Sequence, residues 1–290
     1  MALPTKQQLN EIARQRGEIM RAAEKGLLSK SKELEKKLQS FVLNSFLPEL
    51  EIKNNRIVNS AANLKKVNDS ASLKKFLKAN VNVQMREYYT KEFSKITAST
   101  GNYFNIFPEP LAGQKKSILQ RGELIVEGYL DGLFDNNQIA TSIQSTIRNS
   151  VNTSQTLSTL GKLVTEQIKG KEDKFGAITN YHYQNGYDQF QTYSRALDED
   201  YSVALQLNYA IYAGGEMGKT RDFCAERNGN VYNRETVLSW NDLDWQGKKA
   251  NNNILIDLGG YNCRHDLDWI SYQLAKRLDP TIEKSTFDKN

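Results

Sequence analysis

The chain holds only two cysteines and five prolines in its 290 residues, and histidine is equally scarce at two. Two cysteines exclude a disulfide-framed secreted scaffold. Few prolines leave room for long helices. No apolar run approaches the roughly 20 residues that cross a bilayer, so no membrane span is expected. The opening stretch MALPTKQQLNEIARQRGEIM lacks an apolar signal core. The chain is therefore expected to stay where it is made, unless it is packaged into something else. With 39% hydrophobic and 25% charged residues, it has the balance of a folded globular protein rather than a disordered one. Its length suffices for one large domain or two ordinary ones.

Charge is unevenly spread. Residues 1–120 carry 21 Lys+Arg against 11 Asp+Glu, and residues 121–290 carry 18 against 23. A basic half can approach nucleic acid or an acidic partner. Its lysines alternate with carboxylates, as in KSKELEKK, which is also the pattern of solvated helix faces. They form no Arg-rich, aromatic-interleaved track of the kind that follows a nucleic-acid strand.

Residues 7–24 and 27–47 read as helices, the second with Leu34, Leu38, Phe41, Val42 and Phe46 at helical spacing before Pro48. Residues 58–79 read as helix broken at Asp69 and Ser70, and 83–97 as another helix. The segment 101–113 (GNYFNIFPEPLAG) reads as a loop and hinge. Helix resumes over 114–135, with Ile118, Leu119, Leu124, Ile125 and Tyr129 as its apolar stripe, and again over 138–150. Thr153 or Ser154 can cap a helix that stops at Gly170, and 173–198 reads as one long Tyr-rich helix. After residue 200 the texture changes. Val203, Leu205, Leu207 and Tyr209 alternate like a strand, and Asn228-Gly229 predicts a hairpin pairing RDFCAER with NVYNRE. Residues 266–278 read as a closing helix, acidic at its start and basic at its end. The expected fold is mainly α with a small α+β C-terminal module: a basic helical region 1–105, a helical bundle or long helix 114–200, and the α+β module 201–290.

Three motifs bear on chemistry. AGGEMGKT (213–220) fits a loose phosphate loop and ILID (254–257) a magnesium-holding strand. A phosphate loop needs a helix starting at Lys219-Thr220, and the hairpin turn eight residues on leaves no room for it, which argues against nucleotide hydrolysis. The second motif gathers both cysteines and one histidine: Cys224, Cys263 and His265. Cys263 and His265, two apart in an extended segment, face one side, and Cys224 can supply a third soft ligand for zinc. Asp222, Asp266, His182 or water would fill the fourth place. A Cys224–Cys263 disulfide and two buried free thiols are the alternatives. Third, a thiol and an imidazole can make a nucleophile pair; Cys263 and His265 sit too rigidly side by side, and a Cys224–His265 pair is geometrically possible but ranks behind the structural readings because neither cysteine has an oxyanion-hole glycine motif. His182, amid tyrosines, reads as a packed or hydrogen-bonded residue, and the acidic clusters 198–200 and 266–268 as helix-end and surface charge.

The segments NYAIYAGGEMGKTRDFC, NGNVYN and GGYNCRHDL together resemble the phage minor head protein family, also called head morphogenesis or Mu F-type proteins. Thr220, Arg221, Cys224, Gly229, Asn262, Cys263, Arg264 and His265 carry the likeness, which covers roughly residues 175–275. The family's Cys/His positions accept either residue, which favours metal coordination over an obligatory disulfide. Here GGEMGKT stands where an acidic residue usually precedes Thr-Arg, and the helical N-terminal half is this chain's own. Arg221 and Arg264 are expected either to hold the hairpin to the closing strand or to contact a neighbouring chain.

The resemblance implies a structural, non-enzymatic component of a phage virion or procapsid. Such a protein would act in head assembly near the portal and be oligomeric in the virion. It would lie in the host cytoplasm during assembly, with portal and capsid proteins as partners and packaged DNA meeting the basic half. The alternatives are a phage-borne effector enzyme, ADP-ribosyltransferase-like or a hydrolase, and a zinc-stabilised nucleic-acid-binding protein.

Overall fold

The computed structural model describes residues 4–107, 115–134, 137–186, 188–215 and 220–288. Helix α1 (Lys6–Phe41) runs on through a π-helical turn (Val42–Phe46) and a 3-10 turn (Leu47–Glu49) to a hairpin of β1 (Ile52–Lys53) and β2 (Arg56–Ile57). There follow α2 (Ala61–Asp69), α3 (Ala71–Phe76), a second π-helical stretch (Leu77–Asn82), α4 (Val83–Phe104), α5 (Lys115–Phe134), α6 (Gln138–Asn152) and α7 (Leu157–Lys169). A hairpin of β3 (Gly170–Lys171) and β4 (Lys174–Phe175) leads to α8 (Ala177–Gly186) and α9 (Gln189–Ala204). The remainder is β5 (Tyr209–Gly214), α10 (Asp222–Ala225), β6 (Val231–Asn233), α11 (Arg234–Ser239), α12 (Ile254–Asp257), β7 (His265–Ile270) and α13 (Tyr272–Leu278). The fold is mainly α with a few short antiparallel strands, as the sequence predicts.

The chain forms two compact units. Unit 1 is Met1–Ala23, Glu92–Glu127 and Asp188–Asn290, and unit 2 is Glu24–Lys91 and Gly128–Tyr187. In unit 1, α1 opens on a reciprocal cap. Thr5 Oγ1 accepts from Gln8 N at 3.2 Å while Gln8 Oε1 accepts from Thr5 N at 2.8 Å. The sheet has the order β6-β5-β7, all antiparallel, with Tyr209 opposite Ile270 and Gly214 opposite His265 at the two ends of the longer pairing. Its core is aromatic: Tyr103, Phe104, Phe190, Tyr201, Tyr209, Tyr212 and Trp269 are buried.

Unit 2 is aliphatic by comparison. Leu27, Leu34 and Leu38 of α1 recur on one face and are buried, as are Ile143, Ile147, Leu160, Val164 and Ile168. Ser60 and Thr156 cap α2 and α7. The buried Glu35 accepts the Thr179 N–H at 2.8 Å in the first turn of α8.

Several sequence expectations need correction. Residues 7–41 form one helix rather than two. Residues 101–104 still belong to α4, so the loop begins later, and 108–113 lie outside the described residues. The cap of α7 is Thr156, not Thr153 or Ser154. The single helix 173–198 is instead a hairpin and two helices. Gly170, at φ +78, turns the chain into β3. The alternation at Val203–Leu207 does not make a strand, because α9 continues to Ala204. RDFCAER is not a strand either. Cys224 N and Ala225 N both reach back to Arg221 O, closing one helical turn that seats Phe223 against Trp245. The acidic start of the closing segment is a strand, since His265–Ile270 pairs along the whole of β5 and helix begins only at Tyr272. Tertiary pairing there overrides the helical charge pattern. Leu124, expected in the apolar stripe of α5, is 68% exposed, and Ile125 is exposed as well.

Candidate metal centre

Cys224, Cys263 and His265 come from two short elements on either side of a long loop. Cys224 lies in the single turn α10. Cys263 follows the turn at Gly259–Gly260, where Gly260 takes φ +87 and Cys263 N bonds Gly260 O at 3.2 Å. His265 opens β7, opposite Gly214. Two glycines are needed for this approach. A Cβ on Gly214 would stand 2.5 Å from the His265 ring, and one on Gly259 would stand 2.4 Å from Cys224 Sγ and 3.0 Å from Cys263 Sγ.

The ligand atoms of the three residues lie within 4.8 Å of one another, and the residues are 2%, 4% and 3% exposed. The sulfurs are 4.0 Å apart, and Cys263 Sγ is 4.0 Å from His265 Nδ1. Both cysteines are free, which sets aside the disulfide for this structure. A tetrahedron with metal–sulfur bonds of about 2.3 Å has edges of about 3.8 Å. The spacing therefore suits ligands around one ion, and this buried Cys-Cys-His group could hold a metal ion. Among the described residues, His265 Nε2 is buried without a hydrogen-bond partner.

The thiols are unequal. The hydrogen bond from Cys224 and the nearby Arg195 guanidinium hold the Cys263 thiol well below its ordinary range, against burial. That same bond to Cys263, and then burial, push Cys224 up. Tyr212 donates to Cys224 Sγ at 3.2 Å, and its ring lies 5.2 Å from that of His265. Burial raises the Tyr212 hydroxyl, so it remains a donor.

Arg195 of α9 is the residue that sequence reasoning missed. It is buried and donates to Cys263 O at 2.8 Å, Ile256 O at 3.1 Å and, from Nη2, His265 O at 2.6 Å. It thus fixes the backbone on both sides of Arg264. Its only sequence signal is a cation within the tyrosine stripe of α9. Trp245 Nε1 donates to Gly259 O at 3.1 Å and its ring stacks on Phe223 at 4.0 Å, closing the 234–258 loop over the site.

The other candidates are placed as follows. Asp266 is 3.4 Å from Arg195 Nε and lies outside the Cys-Cys-His group, and Asp222 also lies outside it. His182 also lies outside the Cys-Cys-His group, and its Nδ1 shares a hydrogen bond with Tyr89 Oη at 3.1 Å. Arg221 donates to Tyr261 O at 2.7 Å, tying the start of α10 to the Gly259–Asn262 turn. Asn262 takes φ +57, and its N–H reaches Asp188 Oδ2 at 3.0 Å; Arg264 pairs with the same carboxylate at 3.9 Å. Arg221 thus reaches the turn before the closing strand, and Arg264 reaches the start of α9 rather than the hairpin. Gly229, at φ +82, donates to Tyr212 O at 2.7 Å. Thr220 lies between β5 and α10. Lys219 lies outside the described residues, and ILID forms a one-turn helix rather than a strand, which removes the magnesium-strand half of the nucleotide pattern.

No family model, no curated protein and no solved structure matches this chain.

Proposed function

We propose that this chain is a structural, non-enzymatic component of a phage head, acting in assembly near the portal, with a C-terminal module locked by zinc. One observation carries the reading. Residues that bear the family likeness, far apart along the chain, pack as one knot: Cys224, Cys263 and His265 at its centre, with Arg221, Asn262 and Arg264 bracing the turn that presents them. Two sulfurs and an imidazole are soft ligands that suit zinc, and such a site stabilises a small module whose own core is limited. Tyr212 would hydrogen-bond one thiolate, and Arg195 would hold the ligand backbone and offset the negative charge of the sulfurs. The fourth position falls to water or to a partner's group.

A preparation of the full chain is expected to carry about one zinc per molecule, lost in Cys263→Ser, and to co-purify with portal and capsid proteins from infected cells. A zinc-free, fully folded protein removes the metal. Absence from assembling heads removes the assembly role.

A nucleic-acid contact is a second reading, favoured by the charge of unit 2. That unit holds 19 Lys+Arg against 12 Asp+Glu, while unit 1 holds 20 against 22. It predicts DNA affinity that falls steeply with salt, and salt-insensitive or absent binding rejects it.

A further inference from the structure

Unit 1 buries a second cluster, separate from the thiols, whose charges do not balance. Arg16 of α1 points its guanidinium at Asp198 of α9, to which it is hydrogen-bonded, at Asp268 of β7 at 3.3 Å and at Ser194 Oγ of α9 at 3.3 Å. The Tyr103 ring of α4 lies 5.2 Å from the guanidinium carbon. Asp266 on β7 adds a further negative field, itself partly offset by Arg195. Arg16, Asp198 and Asp268 are all buried.

One cation therefore serves two carboxylates. Among the described residues, Asp198 Oδ1 is buried with no hydrogen-bond partner. A buried carboxylate oxygen without a donor costs more when the group is ionised than when it is protonated. We propose that Arg16, Asp198 and Asp268 form a proton-operated latch on the N-terminal part of α1, closed while at least one of the two carboxylates stays protonated and loosened when both ionise.

The direction follows from the environment. Burial outweighs the pull of Arg16 and raises Asp198 to about 7 and Asp268 to about 6, from an ordinary 3.8. Lifting α1 away would wet both groups and return them towards 3.8. The closed form then binds more protons than the open one across that interval. Its advantage is complete below about pH 4 and is lost as pH rises through 7. Tyr103 keeps its proton throughout, since burial raises it well above its ordinary value.

The test is hydrogen–deuterium exchange of the full chain, read as protection of residues 7–23 after correction for intrinsic rates. Protection is expected to fall about tenfold or more between about pH 5.5 and about pH 8.5. In Asp198→Asn only the Asp268 share should remain, a difference of about fourfold or less between the two pH values. Asp268→Asn serves as the second variant and should flatten the response in part. Equal protection of the unaltered chain at both pH values overturns the latch, as does an undiminished pH response in Asp198→Asn.

Discussion

Each unit buries one of the chain's two histidines almost completely, His265 at 3% exposure in unit 1 and His182 at 1% in unit 2, and the two sit in opposite company. Among the described residues, His265 has two thiols beside it and no hydrogen-bond partner at Nε2. His182 lies among Tyr89, Tyr181 and Phe134, bonded to the Tyr89 hydroxyl, and burial pushes it down to about 3. One is placed to bind an ion; the other is held neutral as a polar piece of an aromatic core. The units differ in the same way throughout. Unit 1 contains both cysteines, all three tryptophans and the three-stranded sheet, and it is slightly acidic. Unit 2 has none of these and carries the positive excess. Residue type and burial do not set a role; the neighbours do.

The contrast can be broken experimentally, and tryptophan fluorescence is a reporter of unit 1 alone. Arg195→Met leaves the carbonyls of Ile256, Cys263 and His265 without their donor. Unit 1 should lose about 3–5 kcal/mol by denaturant unfolding followed at tryptophan, with exchange in α6 and α7 unchanged. Equal loss in both units would show that they do not unfold separately. Next in size is acid. The unfolded chain takes up a proton at His182 near pH 6.5, and the folded unit resists it down to about 3. Stability of unit 2 should therefore fall as pH drops through that window, by up to about 5 kcal/mol once the whole window is crossed. His182→Gln should flatten this slope in exchange measurements on α8. The sign is opposite to that of Asp198 in unit 1, so the two units are expected to loosen at opposite ends of the pH scale.

Gly259→Ala comes third. Its Cβ would stand 2.4 Å from Cys224 Sγ, so unit 1 should lose about 1–3 kcal/mol, with weaker metal retention under chelator. A variant that keeps both properties would place slack in the turn. Smallest is Thr156→Ala, which removes the α7 cap in unit 2. It should cost about 1 kcal/mol in that unit and leave the tryptophan signal alone.

Much of the helical half is legible in the sequence because its signals are local. The break at Ser70, which takes φ +39, the stop at Gly170 and the extent of α5 and α6 follow from spacing, caps and glycine. Leu124 misleads because periodicity finds a stripe but not what covers it. In the C-terminal module the local signals fail at three places: Val203, Phe223 and Asp266 all carry a pattern for the wrong element. There the state of each segment is set by pairing to β5 or by a tryptophan packed across a loop, and both partners are remote in sequence.

The candidate site divides along the same line. The two cysteines and the Cys263/His265 spacing can be read from the letters, because a chain so poor in these residues makes any gathering of them conspicuous. That Asp222, Asp266 and His182 all lie outside the group could not be read, nor could Arg195 or the Arg16 cluster. Composition and periodicity determined that this protein would be mostly helix with a small mixed module, since helix bonds close within four residues. Only the tertiary structure decided that three separated stretches build unit 1, and which buried charges would meet there. Such meetings depend on how elements pack in space, a relation that a linear pattern of residues does not encode.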